Sequence, residues 1–185
     1  MSRTVPPGRF IAVVGPSGAG KDSVMEAYCA AHPDVVRARR VITRSAEAVG
    51  EEADGVSPAE FDALAADGGF VLHWQAHGLS YGIPASIDAA LAEGRDVMAN
   101  LSRSVLPLLQ DQFARSAIVL ITAPAEVLAM RLAARGRETP EEQARRLKRA
   151  QFQLAEGLDP IVIQNEGTLA EAVAGIEAAL QPERA

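Results

Sequence analysis

The sequence predicts an α/β fold in which helices flank a parallel core sheet, and three observations carry that expectation. Strand-like apolar runs alternate with helix-like segments along the 185 residues. The run Ile118-Val119-Leu120-Ile121 is apolar without a break, as a strand covered on both faces requires. A glycine-rich loop, Gly15-Pro16-Ser17-Gly18-Ala19-Gly20-Lys21-Asp22, follows the apolar run Phe10-Ile11-Ala12-Val13-Val14 and opens a helical stretch to Ala31. In sheets of this kind ligands gather at the carboxyl ends of the strands, where such a loop sits.

Taken in order, strands are expected over 9–14, 39–43, 70–76, 96–101, 117–122 and 160–164. Helices announce themselves by their caps. Ser57-Pro58-Ala59-Glu60 is a capping box with proline at the first helical position, and opens a helix to about Ala66. Thr139-Pro140-Glu141-Glu142 repeats the device ahead of an arginine-rich helix. Thr168-Leu169-Ala170-Glu171 opens the last helix, whose Leu169, Val173, Ile176 and Leu180 fall at helical spacing and read as a core stripe. Ser45–Val56, with Gly50, Gly55, Glu47, Glu51, Glu52 and Asp54, reads as a solvated loop. Leu72–Tyr81 reads as a small irregular strand unit outside the main sheet. The chain is expected to be one domain, 1–185, with a core over 1–38 and 94–185, a substrate-holding subdomain over about 39–93 and a lid over about 131–149.

Composition narrows the classes. A hydrophobic fraction of 48% supplies a core. The net charge of −6 argues against a general nucleic-acid or membrane-surface binder. Cys29 is the only cysteine, so an intramolecular disulfide is excluded, and it reads as a small packing residue. No leader is visible, and no segment approaches the about 18 apolar residues that span a bilayer. A soluble, cytoplasmic protein acting on a small molecule is expected, with no nucleic acid and no membrane as partner.

Chemistry is concentrated in a few places. The glycine loop lets several backbone N–H groups converge on phosphate oxygens, and the helix behind it adds its positive end. Lys21 can reach the outer phosphates of a nucleoside triphosphate. Lys21 and Lys148 are the only lysines among 18 Lys and Arg residues, so Lys21 does not reflect a general preference. The next position is usually Ser or Thr, a magnesium ligand, and here it is Asp22, followed by Ser23. Arg39, Arg40 and Arg44 cluster around Thr43; arginine forks suit an anionic acceptor, and the same cluster suits a charged strand edge. In His77-Gly78-Leu79-Ser80-Tyr81-Gly82, Tyr81 can donate to a phosphate or serve as a hairpin aromatic. His73 and His77, four apart, would share a face on a strand; with no third ligand beside them, zinc is not expected. Trp74 would face the other way, as packing. Arg131, Arg135 and Arg137 end one helix and enter a turn at Gly136, and Arg145, Arg146 and Arg149 line the next. Arginines delivered on a closing flap stabilise charge on a transferring phosphoryl group. Interleaved with Glu138, Glu141 and Glu142, the same segment also reads as a salt-bridged surface helix.

With these residues in view, the chain resembles the guanylate-kinase group of P-loop kinases from about Arg9 to Leu180. The marks are the loop Gly-Pro-Ser-Gly-Ala-Gly-Lys, the Thr43-Arg44 step, the His77-Gly-x-x-Tyr81-Gly82 turn and the Arg131-Leu-x-x-Arg135-Gly136-Arg137 lid. The departures are informative. Guanylate kinases read the base with a serine before the Thr-Arg step, a glutamate before the His-Gly turn and an aspartate after the next core strand. Ala38, Leu72 and Ser102 stand at those positions, and a site lacking such acceptors fails to hold guanine. Phosphate-binding hardware without a base reader, together with Gly20-Lys21-Asp22-Ser23, resembles the ribose 1,5-bisphosphate phosphokinase family of bacterial phosphonate degradation.

That resemblance implies transfer of the ATP γ-phosphoryl group to ribose 1,5-bisphosphate, giving 5-phospho-α-D-ribose 1-diphosphate and ADP, with Mg2+. It implies that Gly15 to Ser23 hold the donor phosphates, with Arg135 and Arg137 clamping them from the lid. Lys21, Arg135, Arg145 and Arg146 would act on the transferred group. Asn165 would lie near the adenine. Arg40, Arg44 and Tyr81 would hold one acceptor phosphate, and Arg103 and His73 the other. Asp22 would restore at the metal the carboxylate that guanylate kinases carry where this chain has Asn100, directly or through water. The competing expectations are a guanylate or other nucleoside monophosphate kinase, a gluconate-type kinase sharing only the loop, and an inactive guanylate-kinase-like module that binds partners.

Overall fold

The structure, a computed structural model, describes residues 6–44, 53–134 and 154–181. In chain order the described elements are β1 (Phe10–Val14), α1 (Lys21–Ala31), β2 (Val36–Arg37), β3 (Arg40–Ile42), β4 (Ala53–Gly55), α2 (Pro58–Ala66), β5 (Phe70–Ala76), β6 (Leu79–Pro84), α3 (Ile87–Ala92) and β7 (Val97–Asn100). A 3₁₀ turn (Arg103–Leu108) then leads into α4 (Leu109–Gln112), β8 (Ser116–Thr122), α5 (Ala125–Ala134), β9 (Ile161–Gln164) and α6 (Leu169–Leu180). The arginine-rich helix expected after Thr139 lies outside the described residues.

The core is a five-stranded parallel sheet of order β2-β7-β1-β8-β9. Its central strand, β1, is buried at every residue, which is why its apolar run carries no alternation. A second sheet of four strands has the order β4-β3-β6-β5. Of the described residues, those up to Ala12 and Pro33–Ser116 form one compact unit, and Val13–His32 with those from Ala117 onward form another.

In the first unit the amino ends of β1 and β7 are locked by a buried ion pair. Arg9 and Asp96 are 1% and 6% exposed. The Arg9 backbone N–H donates to Asp96 Oδ1 at 2.8 Å and its Nη2 to Oδ2 at 3.1 Å. The Val97 N–H returns to Arg9 O at 2.8 Å. One carboxylate thus sets the register of two core strands.

In the second sheet β5 and β6 form an antiparallel hairpin across His77 and Gly78, both at positive φ (53° and 77°). Such a two-residue turn matches the strand twist. The unit read as irregular is therefore a regular hairpin, with one register shift between Phe70 and Leu72. His77 sits in the turn, so the expectation that it shares a strand face with His73 is corrected. Ala53–Gly55, read as part of a solvated loop, is strand β4, paired in parallel with β3 and tied to it by Arg39 to Asp54 at 2.9 Å. A three-residue edge strand has too few positions to show a period.

Both described capping boxes form. Glu60 accepts from the Ser57 hydroxyl at 2.7 Å and N–H at 2.8 Å, and Glu171 from the Thr168 N–H at 2.7 Å and hydroxyl at 2.9 Å. The Ser57 hydroxyl, then its N–H, hold the Glu60 carboxyl below the usual glutamate range. The Thr168 N–H, then its hydroxyl, do the same for Glu171. Their contribution is present above the unfolded pKa and is lost as pH falls through the lowered folded value. On α6 the buried stripe is Ala172, Ile176 and Leu180; Leu169 is 43% exposed in the first turn, a correction to its reading as core.

Removing one member of the buried pair takes from the other an opposite charge that water does not replace at this depth. We expect Asp96→Ala to destabilise the protein by about 3–5 kcal/mol in guanidinium unfolding, and Arg9→Met with Asp96→Leu to recover most of that loss.

Candidate active site

The second compact unit contains the glycine loop. Leaving β1, the chain turns at Gly15 with φ +153°, where a Cβ would run into the carbonyl oxygen of Ile121 on β8. Gly20 ends the loop as the cap of α1, at φ 82° and ψ 25°, with no side-chain cap of its own. A Cβ on Gly20 would lie 2.6 Å from Asn165 Nδ2. Both positions therefore exclude a side chain on steric grounds as well as by conformation.

The Lys21 ammonium donates to Gly15 O at 2.9 Å and Pro16 O at 3.1 Å, so the side chain doubles back over the loop it follows. Asp22 and Ser23 are exposed in the first turn of α1. Ser17 is exposed on the loop, whereas Pro16, Gly18 and Ala19 are buried. A glycine-rich loop, a helix amino terminus and a lysine in one place have the chemistry that suits an anion.

Asn165 follows β9 and is 4% exposed. Its backbone N–H donates to Thr122 O at 2.7 Å, and its side-chain Nδ2 to Ala19 O, also at 2.7 Å. The residue that the resemblance puts near an adenine thus has its amide on the loop backbone.

The first unit holds a different group. Trp74 and Tyr81 face each other across the hairpin and stack with ring centroids 5.4 Å apart and planes 8° from parallel. Arg40 lies over the Tyr81 ring, its Cζ 5.7 Å from the centroid. Cation, phenol and indole form one group, a cation–π contact beside an aromatic stack. The Thr43-Arg44 step is joined to this hairpin: Ser80 N–H donates to Thr43 Oγ1 at 2.8 Å, and Thr43 N–H to Ser80 O at 3.0 Å. Arg44 is exposed just beyond β3.

His73 is not brought to this group. It is opposite Gly82, on the other face of the hairpin, and its ring lies 6.4 Å from Phe61 and 6.3 Å from Phe70. Arg39 is spent on Asp54, taking the strand-edge role. Arg103 is exposed at the start of the 3₁₀ turn, and Asn100 ends β7. Ala38 and Leu72 are 8% and 4% exposed, and Ser102 accepts from its own turn at Ser104 N–H, 3.4 Å away. Arg135, Arg137, Arg145 and Arg146 lie outside the described residues. Among the described residues no three His, Cys, Asp or Glu side chains converge as a metal cluster, and no helix is long and apolar enough to cross a membrane.

The partnership of Trp74 with Tyr81 and the reach of Asn165 to the loop were not anticipated. The first had a signal: a two-residue turn at 77 and 78 pairs 76 with 79, 75 with 80 and 74 with 81. The second joins residues 146 positions apart, and no local pattern reports it.

A family model described as an AAA domain matches residues 10–156. A ribose 1,5-bisphosphate phosphokinase PhnN of Ruegeria sp. (strain TM1040) is 49% identical over 179 residues, covering 96% of this chain and 94% of that protein. Its namesake from Azotobacter vinelandii is 48% identical over 168 residues, covering 89% and 91%. Among solved structures, a guanylate kinase from Anaplasma phagocytophilum matches with a TM-score of 0.66 at 20% identity, over 96% of this chain and 87% of that one, a likeness of fold. With near-half identity along almost its entire length, this P-loop chain belongs to the ribose 1,5-bisphosphate phosphokinase PhnN family.

Proposed function

We propose that the chain transfers the γ-phosphoryl group of ATP to the 1-phosphate of ribose 1,5-bisphosphate, giving 5-phospho-α-D-ribose 1-diphosphate and ADP, as a soluble cytoplasmic enzyme of phosphonate catabolism. The names of its relatives support the reaction. The observation that carries the choice of acceptor is the burial of Ala38 and Leu72, at 8% and 4% exposure. These are the positions where guanylate kinases place two of their base-reading side chains, and here both are apolar. An acceptor with two phosphates and no base needs cations, and Arg40 and Arg44 would supply them, with Tyr81 as a hydroxyl donor.

The reaction asks little covalent chemistry of the protein. The acceptor phosphate is largely dianionic at neutral pH, its second pKa being about 6, so no general base is required. One of its oxygens forms a bond to the γ-phosphorus while the bond to the β,γ-bridging oxygen breaks, and that electron pair leaves with ADP. Catalysis is in-line positioning and charge neutralisation.

In this reading the N–H groups of Ser17 to Lys21 hold the donor phosphates. Lys21 swings from the carbonyls of Gly15 and Pro16 to the outer two phosphates. Arg135 and Arg137 clamp the triphosphate, and Arg145 or Arg146 meets the transferred group. Arg103 remains a candidate for the second acceptor phosphate. His73, on the far face of the hairpin, is not a partner of Tyr81 in this scheme.

The residues fit a magnesium ion. Asp22 is an exposed carboxylate one residue past Lys21, and magnesium takes one or two carboxylates beside substrate phosphates and water. Asp22 would hold it, with Asn100 a second candidate, directly or through water. When bound, the ion neutralises charge on the donor phosphates.

Phosphorus NMR of the protein with ATP, Mg2+ and ribose 1,5-bisphosphate should show a sugar diphosphate and ADP forming together. Arg44→Ala should give the same product with acceptor KM raised about tenfold or more and ATP KM within about twofold. Absence of the diphosphate overturns the function, and an unchanged acceptor KM overturns the role of Arg44. Asp22→Ser should raise the Mg2+ concentration for half-maximal rate by about tenfold or more; unaltered magnesium dependence and turnover would remove Asp22 from the metal.

A further inference from the structure

We infer that Asn165 is a positioning residue of the phosphate loop: its side-chain amide fixes the orientation of the Ala19–Gly20 peptide, and it does not read the adenine. The inference rests on the loop binding the donor phosphates, as proposed above.

Three observations carry it. Asn165 Nδ2 lies 2.7 Å from Ala19 O, and the residue is 4% exposed, so water offers little substitute for this bond. The Asn165 backbone N–H donates to Thr122 O at 2.7 Å, which anchors the residue to the carboxyl end of β8. Gly20, at φ 82°, has no room for a side chain because Nδ2 would lie 2.6 Å from its Cβ. The absent side chain at Gly20 is what admits the amide.

The physical need is specific. A peptide next to glycine flips readily, because glycine accepts both signs of φ. In a trans peptide the C=O and the following N–H point in opposite directions. A flip at Ala19–Gly20 would exchange the Gly20 N–H for the Ala19 carbonyl on the side away from Asn165, presenting oxygen where phosphate oxygen is to bind. A buried amide donor facing Ala19 O prevents that exchange. The amide must face it through nitrogen, since its oxygen would meet another oxygen. Preorganisation of this kind raises affinity for anything phosphate-like, whatever base it carries.

The test separates the two roles by ligand. Calorimetry would measure ATP, GTP and inorganic tripolyphosphate on the unaltered protein, Asn165→Ala and Asn165→Asp, with acceptor KM measured alongside. Asn165→Ala should weaken all three ligands by the same factor, about tenfold, with the ATP-to-GTP ratio and acceptor KM within about twofold. Asn165→Asp keeps the shape but turns an acceptor toward Ala19 O, and should weaken all three further. Loss confined to ATP, with tripolyphosphate unchanged, would overturn the inference and return Asn165 to the adenine. Unaltered protein that binds neither ATP nor tripolyphosphate would overturn the phosphate-loop reading itself, and the inference with it. A measurement without variants stands beside these: the Asn165 side-chain NH2 protons should be protected from solvent exchange in the nucleotide-free protein, and rapid exchange would overturn the inference.

Discussion

The close passage of Gly15 beside the Ile121 carbonyl is the constraint on which the donor half of the account depends. A side chain at that position would push the loop off the end of β8. Because it is absent, the chain leaves the buried strand β1 and turns at once into the glycine loop. The same economy recurs at Gly20, where Asn165 takes the space a side chain would need. Backbone is packed here against backbone, and one amide against a carbonyl. Phosphate recognition then needs N–H groups held in place and one cation, since the ligand brings its own charge.

The second sheet solves a different problem. Tyr81 stacks on Trp74 and carries Arg40 over its ring, so the arginine and the phenol each restrict the other. Holding a guanidinium over a ring limits the conformations it must lose when an anion arrives. The proposed acceptor site is therefore partly ordered in advance. At the proposed acceptor site the apolar, buried Ala38 and Leu72 would contribute by what they withhold: neither side chain can pair with a purine edge, so a base would have to leave its polar groups unsatisfied.

Much of this was legible in the chain. The six expected strands and the caps at Ser57 and Thr168 appear in the structure, because uninterrupted apolar runs and capping boxes are local signals. The phosphate loop was readable because its glycines and lysine carry their geometry in sequence. What escaped was short or distant. Val36–Arg37 and Ala53–Gly55 form strands through their neighbours, and two or three residues show no period. Leu169 has helical spacing, but the first turn of α6 leaves it outside the buried stripe. His73 and His77 would share a face on a continuous strand, but the two-residue turn takes His77 out of the strand. Asn165 stands out in the sequence for its position, but its hydrogen bond to Ala19 O does not, because a contact across 146 residues leaves no trace in local pattern.

The central claim is that the donor machinery is kept while the acceptor side has lost its means of reading a base. The direct measurement offers equal concentrations of ribose 1,5-bisphosphate and GMP to the protein with ATP and Mg2+, and compares kcat/KM from the two products. The account predicts a ratio of at least about a hundredfold in favour of the sugar bisphosphate. Rapid conversion of GMP, with the bisphosphate untouched, would contradict it.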